Sequence, residues 1–187
     1  MIVDTIKHNG LTIEIHTDDD PESPREWDNL GKILYTSDRY TLGDERVSTE
    51  EIKDILARKD VIVLPVFAYI HSGVALSTAP FSCSWDSGQC GIIYVEREAV
   101  LKEWSRKRLT KKLTNKIEDI LRAEIQTYNE FLSGEVYGYV VKTSIQCGHC
   151  GHSEDEELES CWGFYGRDDC IEEAKSVADH CQQRKAG

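Results

Sequence analysis

Strand patterns and helix patterns follow one another along the chain without the regular alternation of a βαβ protein, and this order constrains the fold most strongly. Apolar residues alternate with polar ones on both sides of Asn9-Gly10, which predicts a β-hairpin at the start of the chain. Further strand patterns cover residues 61–70, 135–146 and 160–166. Runs of strands interrupted by helices predict one α+β domain, residues 1–187, with a mostly antiparallel sheet.

Helix signals lie between and after these strands. Two Ser-x-x-Glu capping boxes predict helix starts, and they pair Ser23 with Glu26 and Ser48 with Glu51. Apolar residues at helical spacing after the basic run 105–116 predict one long helix, and Gly134 suits its C′ position. The same spacing after Asp168 or Asp169 predicts a C-terminal helix.

The chain is acidic, with 34 acidic and 22 basic residues and a net charge of −12. We expect it to repel free nucleic acid, except through residues 106–116 within a segment of net positive charge. The most apolar stretch, 61–70, is too short to span a bilayer as a helix, so no membrane partner is expected. Seven cysteines without an export signal predict reduced thiols in the cytoplasm.

Residues 147–161 concentrate three of the cysteines and form a predicted hairpin excursion. Cys147 and Cys150 have the CxxC spacing of a zinc knuckle. His152 and Cys161 could complete a tetrahedral site, which would make zinc a structural cofactor. Alternatively, the segment is an acidic hairpin tip with free thiols, because a buried cysteine in an aromatic strand needs no metal. The sequence leaves both interpretations open.

Two loops carry side chains that suit contact with a partner. The first contains Trp27 and Asp28, and the second contains Trp85, Asp86 and Gln89. Tryptophan and glutamine on a rigid turn make good anchors for protein recognition. Each loop can equally be a tight turn in which aspartate binds its own backbone and the indole packs underneath.

The basic run offers a third candidate surface, with Arg106, Arg108, Lys111 and Lys112 as its candidate contact residues. Such a cluster can bind RNA or an acidic surface. On a helix these side chains cannot all face one way, so the run can also be a solvated junction between helices.

Signatures of common enzymes are missing from the sequence, which has no Gly-rich phosphate loop, HExxH or GxSxG motif. A cysteine nucleophile built on Cys83 or Cys90 stays open as a third hypothesis. We favour a protein without catalytic activity.

Several segments, in this order, resemble a family of small acidic proteins carried by phages, plasmids and other mobile elements. They are PREWDNLG (24–31), YTLGDE (40–45), LPVFAYIHSG (64–73), SCSWDSGQCGIIYV (82–95), AEIQTYNEFLSGEVYGYVV (123–141) and SCWGFYG (160–166). The chain departs from the family pattern at Cys90, where an apolar residue is expected, and in its CGHCGH tract, where a short polar hairpin is expected.

The resemblance implies an anti-CRISPR type of inhibitor that binds a host defence nuclease or its ribonucleoprotein. An acidic body would suit the basic nucleic-acid channel of such an enzyme, and residues 106–116 could meet guide RNA. The alternative is a zinc-stabilised structural or nucleic-acid-binding module built on residues 147–161.

Overall fold

The computed structural model describes residues 1–71, 73–83, 85–146, 149–150 and 152–186. These residues form nine strands and four α-helices, and the predicted α+β class is confirmed. The strands form two sheets, and all but one of their pairings are antiparallel. No helix in the described residues is long and apolar enough to cross a membrane.

Strands lie close to the predicted positions at the start of the chain, at 61–70 and at 135–146. The last strand begins at Ser153, seven residues before the predicted 160–166, because residues 153–159 also pair with the preceding strand. The nine strands are β1 (Ile2–His8), β2 (Leu11–Thr17), β3 (Lys32–Tyr35), β4 (Glu45–Arg46), β5 (Val61–Ile70), β6 (Val74–Ser77), β7 (Ser87–Glu96), β8 (Val136–Gln146) and β9 (Ser153–Tyr165). The helices are α1 (Thr49–Ala57), α2 (Arg97–Glu103), α3 (Lys111–Ser133) and α4 (Arg167–Ala186). Two of them are the predicted long helix and the predicted C-terminal helix.

The contacts of the chain divide it into two compact units. Unit 1 contains Met1–Glu22 and the chain from Gly134 onward, and unit 2 contains Ser23–Ser133. Unit 1 holds 17 acidic and 6 basic residues, a net charge of −11. Unit 2 holds 17 acidic and 16 basic residues, a net charge of −1. Nearly all of the net negative charge therefore belongs to unit 1.

Unit 1 is a four-stranded antiparallel sheet, in the order β1-β2-β8-β9, with α4 packed on one face. The inward residues of β2 follow the strand period of two, and Leu11, Ile13 and Ile15 are buried. The apolar face of α4 covers them with Ala174 and Ala178, as the helical spacing predicts.

Unit 2 is a five-stranded sheet, in the order β4-β3-β7-β5-β6, with helices on both faces. The long helix α3 buries Ile117 and Leu121 against one face, which includes Ile93 of β7. The next residue along that strand toward its start, Ile92, points to the other face and packs with Ile52 of α1.

The two capping boxes have different outcomes. Ser48 Oγ accepts a hydrogen bond from the Glu51 backbone at 3.2 Å, and Glu51 accepts one from the Ser48 backbone at 2.8 Å. This box is confirmed and begins α1. Ser23 instead accepts from the backbone of Arg25, and the segment Pro24–Glu26 is a single 3₁₀ turn. The side chain of Arg25, in the middle of this turn, binds Asp44 and Glu124.

A partly buried ion-pair network within unit 2 centres on Arg25, whose side chain is 9% exposed. Arg25 Nε and Nη2 donate to the two carboxylate oxygens of Asp44 at 2.9 and 2.7 Å, and Nη1 donates to Glu124 at 3.2 Å. Both carboxylates also accept backbone hydrogen bonds, Asp44 from Ile33 and Glu124 from Leu30. Two segments that carry the family resemblance, PREWDNLG and YTLGDE, therefore contribute to the stability of unit 2.

Candidate functional site

The loop that carries Trp27 and Asp28 is held by its own hydrogen bonds. Asn29 Nδ2 donates to the carbonyl oxygens of Pro24 and Trp27, at 2.7 and 3.0 Å. The indole of Trp27 is 43% exposed, and Asp28 is exposed. Both side chains are thus accessible to a partner on a loop whose shape is fixed locally.

The three predicted contact residues in and after the loop before β7 lie in different surroundings. Trp85 is 95% exposed, so the expected packing of its indole under the turn does not occur. Asp86 lies 3.5 Å from His71 Nδ1 and accepts a contact from Cys83 at 4.0 Å. Gln89 lies on β7, exposed, and its amide donates to the Gly91 carbonyl at 3.3 Å. Trp85 is the residue of this loop that best suits contact with a partner.

Neither cysteine of this region is arranged as an activated nucleophile. In the described residues the Cys83 thiol contacts the carboxylate of Asp86 at 4.0 Å, and the imidazole of His71 contacts that carboxylate and not the thiol. Burial raises the pKa of the Cys90 thiol to about 11, so the thiol is protonated at neutral pH.

The predicted zinc ligands are not all brought together. Cys150 and His152 are exposed near the end of the β8–β9 hairpin, and Cys147 lies outside the described residues. Cys161 lies within β9, eight residues after its first residue, which is about 26 Å along an extended strand. Within the described ranges, no group of three His, Cys, Asp or Glu side chains could hold a metal ion. A zinc site without Cys161 stays a prediction.

The end of the β8–β9 hairpin carries a cluster of carboxylates. In the described part of the chain, β2 pairs with β8 only as far as Lys142, so residues 143–146 pair with β9 alone. We call residues 143–146 and 153–159 the acidic ribbon. Five exposed residues of this ribbon are acidic, and they are Glu154, Asp155, Glu156, Glu157 and Glu159.

Cations do not compensate the charge of the acidic ribbon. The β8 residues opposite 154–156 are uncharged, and they are Thr143, Ser144 and Ile145. Lys142, at the base of the ribbon, donates instead to Glu14 at 2.7 Å. Among the described residues, the one basic partner of a ribbon carboxylate is Arg184, 3.8 Å from Glu159. The ribbon therefore presents a row of negative charge on an extended backbone.

The basic run forms a concave surface within unit 2, which we call the basic pocket. Its volume is about 760 Å³. Three of the four predicted contact residues line it, namely Arg106, Arg108 and Lys112, whereas Lys111 does not. The first two lie in the loop before α3, which begins only at Lys111. The expectation that helical geometry would scatter these side chains is therefore wrong for the loop residues.

Trp104 is a further member of this pocket, which the sequence pattern does not predict. The Nζ of Lys116 lies 5.6 Å from the centroid of its indole ring, in a cation–π contact. Lys107 and Lys116 also line the pocket. The signal available in the sequence is a tryptophan directly before a basic run, but only the fold shows that they share a cavity.

No protein-family model, curated protein or solved structure matches this chain. The resemblance to mobile-element proteins therefore stays a prediction, and the chain's own residues carry the functional argument. Two features of opposite charge stand out, the acidic ribbon of unit 1 and the basic pocket of unit 2.

Proposed function

We propose that this protein is a non-catalytic inhibitor, carried by a phage or another mobile element, that binds a host defence nuclease in the bacterial cytoplasm. The acidic ribbon is the observation that carries the proposal. It occupies the basic channel in which the nuclease, or its ribonucleoprotein, binds nucleic acid. The family resemblance supports the class of target, and the ribbon supports the mode of binding.

The spacing of the carboxylates supports mimicry of a nucleic-acid strand. An extended strand rises about 3.3 Å per residue, so residues 154–159 span about 17 Å. Five carboxylates over that length give about one negative charge per 3.5 Å, similar to the one per about 3.4 Å along each strand of a duplex. Because successive side chains of a strand point to opposite faces, these charges are divided between the two faces of β9, and Glu154 and Glu156 lie on one face about 6.6 Å apart. A basic channel that encloses the ribbon can therefore contact carboxylates on both faces.

The distribution of charge between the units also supports this mode of binding. Unit 1 has a net charge of −11, so a basic partner is attracted to the unit that carries the ribbon. Unit 2 has a net charge of only −1 and contributes little to that attraction. Such long-range steering speeds association and weakens as ionic strength rises.

Inhibition of target cleavage by a panel of purified RNA-guided DNA nucleases tests the proposal. We expect inhibition of at least one nuclease, strongest when the protein is added before the target DNA, because both compete for one channel. The double variant E154Q/E156Q should raise the half-inhibitory concentration about tenfold, equivalent to about 1.4 kcal/mol of binding free energy. Higher salt should weaken inhibition by the unmodified protein.

The matched control is E172Q/E173Q, which makes the same charge change at two exposed glutamates of α4 in the same unit. This control should leave the half-inhibitory concentration within about twofold of the unmodified value. Equal losses in the two double variants, or inhibition that is indifferent to salt, would show that the ribbon is not a mimic. Failure to inhibit any nuclease of the panel would contradict the inhibitor function itself.

A zinc-stabilised structural or nucleic-acid-binding module is the second candidate function. Its support is a concave surface of about 560 Å³ at the ribbon end, lined by Cys150 and His152 together with ribbon carboxylates. Elemental analysis of native, untagged protein tests this candidate, which predicts about one zinc per chain and lower stability after chelation. A native protein without zinc would remove it.

A further inference from the structure

We propose that the basic pocket of unit 2 binds the phosphate backbone of a single-stranded nucleic acid. This site is separate in sequence and composition from the acidic ribbon. The proposal therefore does not depend on the ribbon, and it holds even if the ribbon binds no partner.

The charge of the pocket indicates a polyanionic ligand. Five cationic side chains line it, and they are Arg106, Lys107, Arg108, Lys112 and Lys116. In the part of the chain that the structure describes, no carboxylate forms an ion pair with any of them. The one acidic residue of the lining, Asp119, is bound to Arg122 at 2.9 Å. A ligand with several negative charges relieves this repulsion, and one phosphate would not engage all five cations.

The geometry of the pocket favours a flexible strand over a duplex. The cations come from the loop before α3 and from Lys112 and Lys116, which lie one helical turn apart on the same face. They line an open concave surface of about 760 Å³. A single strand can bend to follow this concave surface, whereas a duplex, with a persistence length of about 50 nm, stays straight over this distance.

The apolar part of the pocket favours nucleic acid over an acidic peptide. Trp104 is half-buried against the core of unit 2, and it forms part of the pocket wall together with Leu113. Aromatic and apolar surfaces beside a cationic groove bind bases in proteins that bind single strands. The ring also holds the ammonium group of Lys116 at the pocket wall.

Fluorescence anisotropy with labelled twelve-nucleotide strands of deoxythymidine and of uridine tests the proposal. We expect micromolar binding of at least one strand at about 50 mM salt, and the tighter strand identifies DNA or RNA as the ligand. The logarithm of the affinity should fall with the logarithm of salt concentration with a slope between about −2 and −3.5, as three to five phosphate contacts predict. A twelve-residue polyglutamate peptide should bind at least tenfold more weakly.

The double variant K107Q/K112Q should weaken strand binding at least tenfold and make the salt slope shallower by about 1.4, the value for two lost contacts. The matched control K53Q/K59Q changes two exposed lysines of the same unit that lie outside the pocket, and it should weaken binding less than twofold. Circular dichroism would confirm that both variants are folded. The ribbon variant E154Q/E156Q should not weaken binding, which separates this test from that of the inhibitor.

Several outcomes would overturn the proposal. They are equal losses in the two lysine variants, polyglutamate that binds as tightly as the oligonucleotides, and no binding of either strand at about 50 mM salt. An equal loss in the two lysine variants would show that the strand binds by general charge attraction and not at this pocket. Tight binding of polyglutamate would instead assign the pocket to an acidic protein segment.

Discussion

Arg25 binds the carboxylate of Asp44 through two parallel hydrogen bonds of 2.9 and 2.7 Å, although the two residues lie 19 positions apart in the sequence. Burial alone would lower the pKa of Arg25, but the hydrogen bonds to Asp44 and Glu124 outweigh it and raise the pKa. The guanidinium therefore stays charged inside unit 2. Removal of Arg25 would leave two partly buried carboxylates, Asp44 and Glu124, without their cation.

Replacement of Arg25 should destabilise unit 2 strongly. We expect Arg25→Ala to lower the free energy of unfolding by about 2–3 kcal/mol, because it leaves the partly buried carboxylates of Asp44 and Glu124 without their cation. The control Arg122→Ala removes two exposed ion pairs of α3 and should cost less than about 1 kcal/mol. Urea unfolding measures both. Similar losses in the two variants would show that the Arg25 network contributes no more than a surface pair.

Gly138 should not tolerate a side chain while Trp162 is present. A Cβ atom at Gly138 would collide with the indole of Trp162, which lies directly over the glycine. Gly138→Ala should therefore cost about 1–3 kcal/mol of stability. In a Trp162→Ala background this cost should fall by at least half, which urea unfolding of the four proteins measures as a double-mutant cycle. An unchanged cost would mean that the indole does not pack on Gly138.

The ion pair between Glu14 and Lys142 predicts a pH dependence of stability. The hydrogen bond from Lys142 is the largest cause that lowers the pKa of Glu14 below its ordinary value of 4.5. A lowered pKa in the folded state stabilises the protein above pH 4.5, and this stability is lost as the pH falls through the lowered pKa. Glu14→Gln should therefore cost about 1 kcal/mol at neutral pH, and the difference from the unmodified protein should shrink in acid.

Urea unfolding at neutral pH and at about pH 3 measures this difference. The exposed Glu172→Gln of α4 serves as the control and should change stability by less than about 0.5 kcal/mol at neutral pH. A cost of Glu14→Gln that grows as the pH falls would contradict the assigned sign.

Cys161 should have no part in metal binding. Its position in β9, about 26 Å from the start of the strand, keeps its thiol away from Cys150 and His152. Cys161→Ser should leave the ratio of zinc to protein unchanged, as measured by elemental analysis of native protein. Loss of bound zinc in this variant would contradict the pairing of β8 with β9, since Cys161 could then reach the hairpin end.

Features encoded by neighbouring residues could be predicted, and features that join distant residues could not. The Ser48 capping box and the apolar face of α4 depend on residues within a few positions, so their patterns predict them correctly. The Arg25 network joins residues 19 and 99 positions apart, so the motif around Arg25 resembles a recognition loop until the fold is known. The division of the strands between two sheets depends on equally distant pairings.

The candidate sites show the same limit. The acidic residues of the ribbon can be recognised in the sequence. Their exposure cannot, because it depends on where β2 stops pairing with β8. The basic pocket is lined by residues 104–119 alone, but its shape depends on the conformation of the loop before α3, which the charge pattern does not predict. The sequence predicts Cys161 near the other cysteines because residues 153–159 look like a loop. In the structure these residues extend β9, and this places Cys161 far from the hairpin end.

The order of the strands in unit 1 gives the acidic ribbon a second consequence. In the described chain, β9 is the outermost strand of its sheet, so its free edge presents backbone groups that could pair with the same edge of another molecule. Five carboxylates along that edge repel a second copy and oppose amyloid-like assembly. The charges that would attract a nuclease therefore also keep the molecules from aggregating with one another.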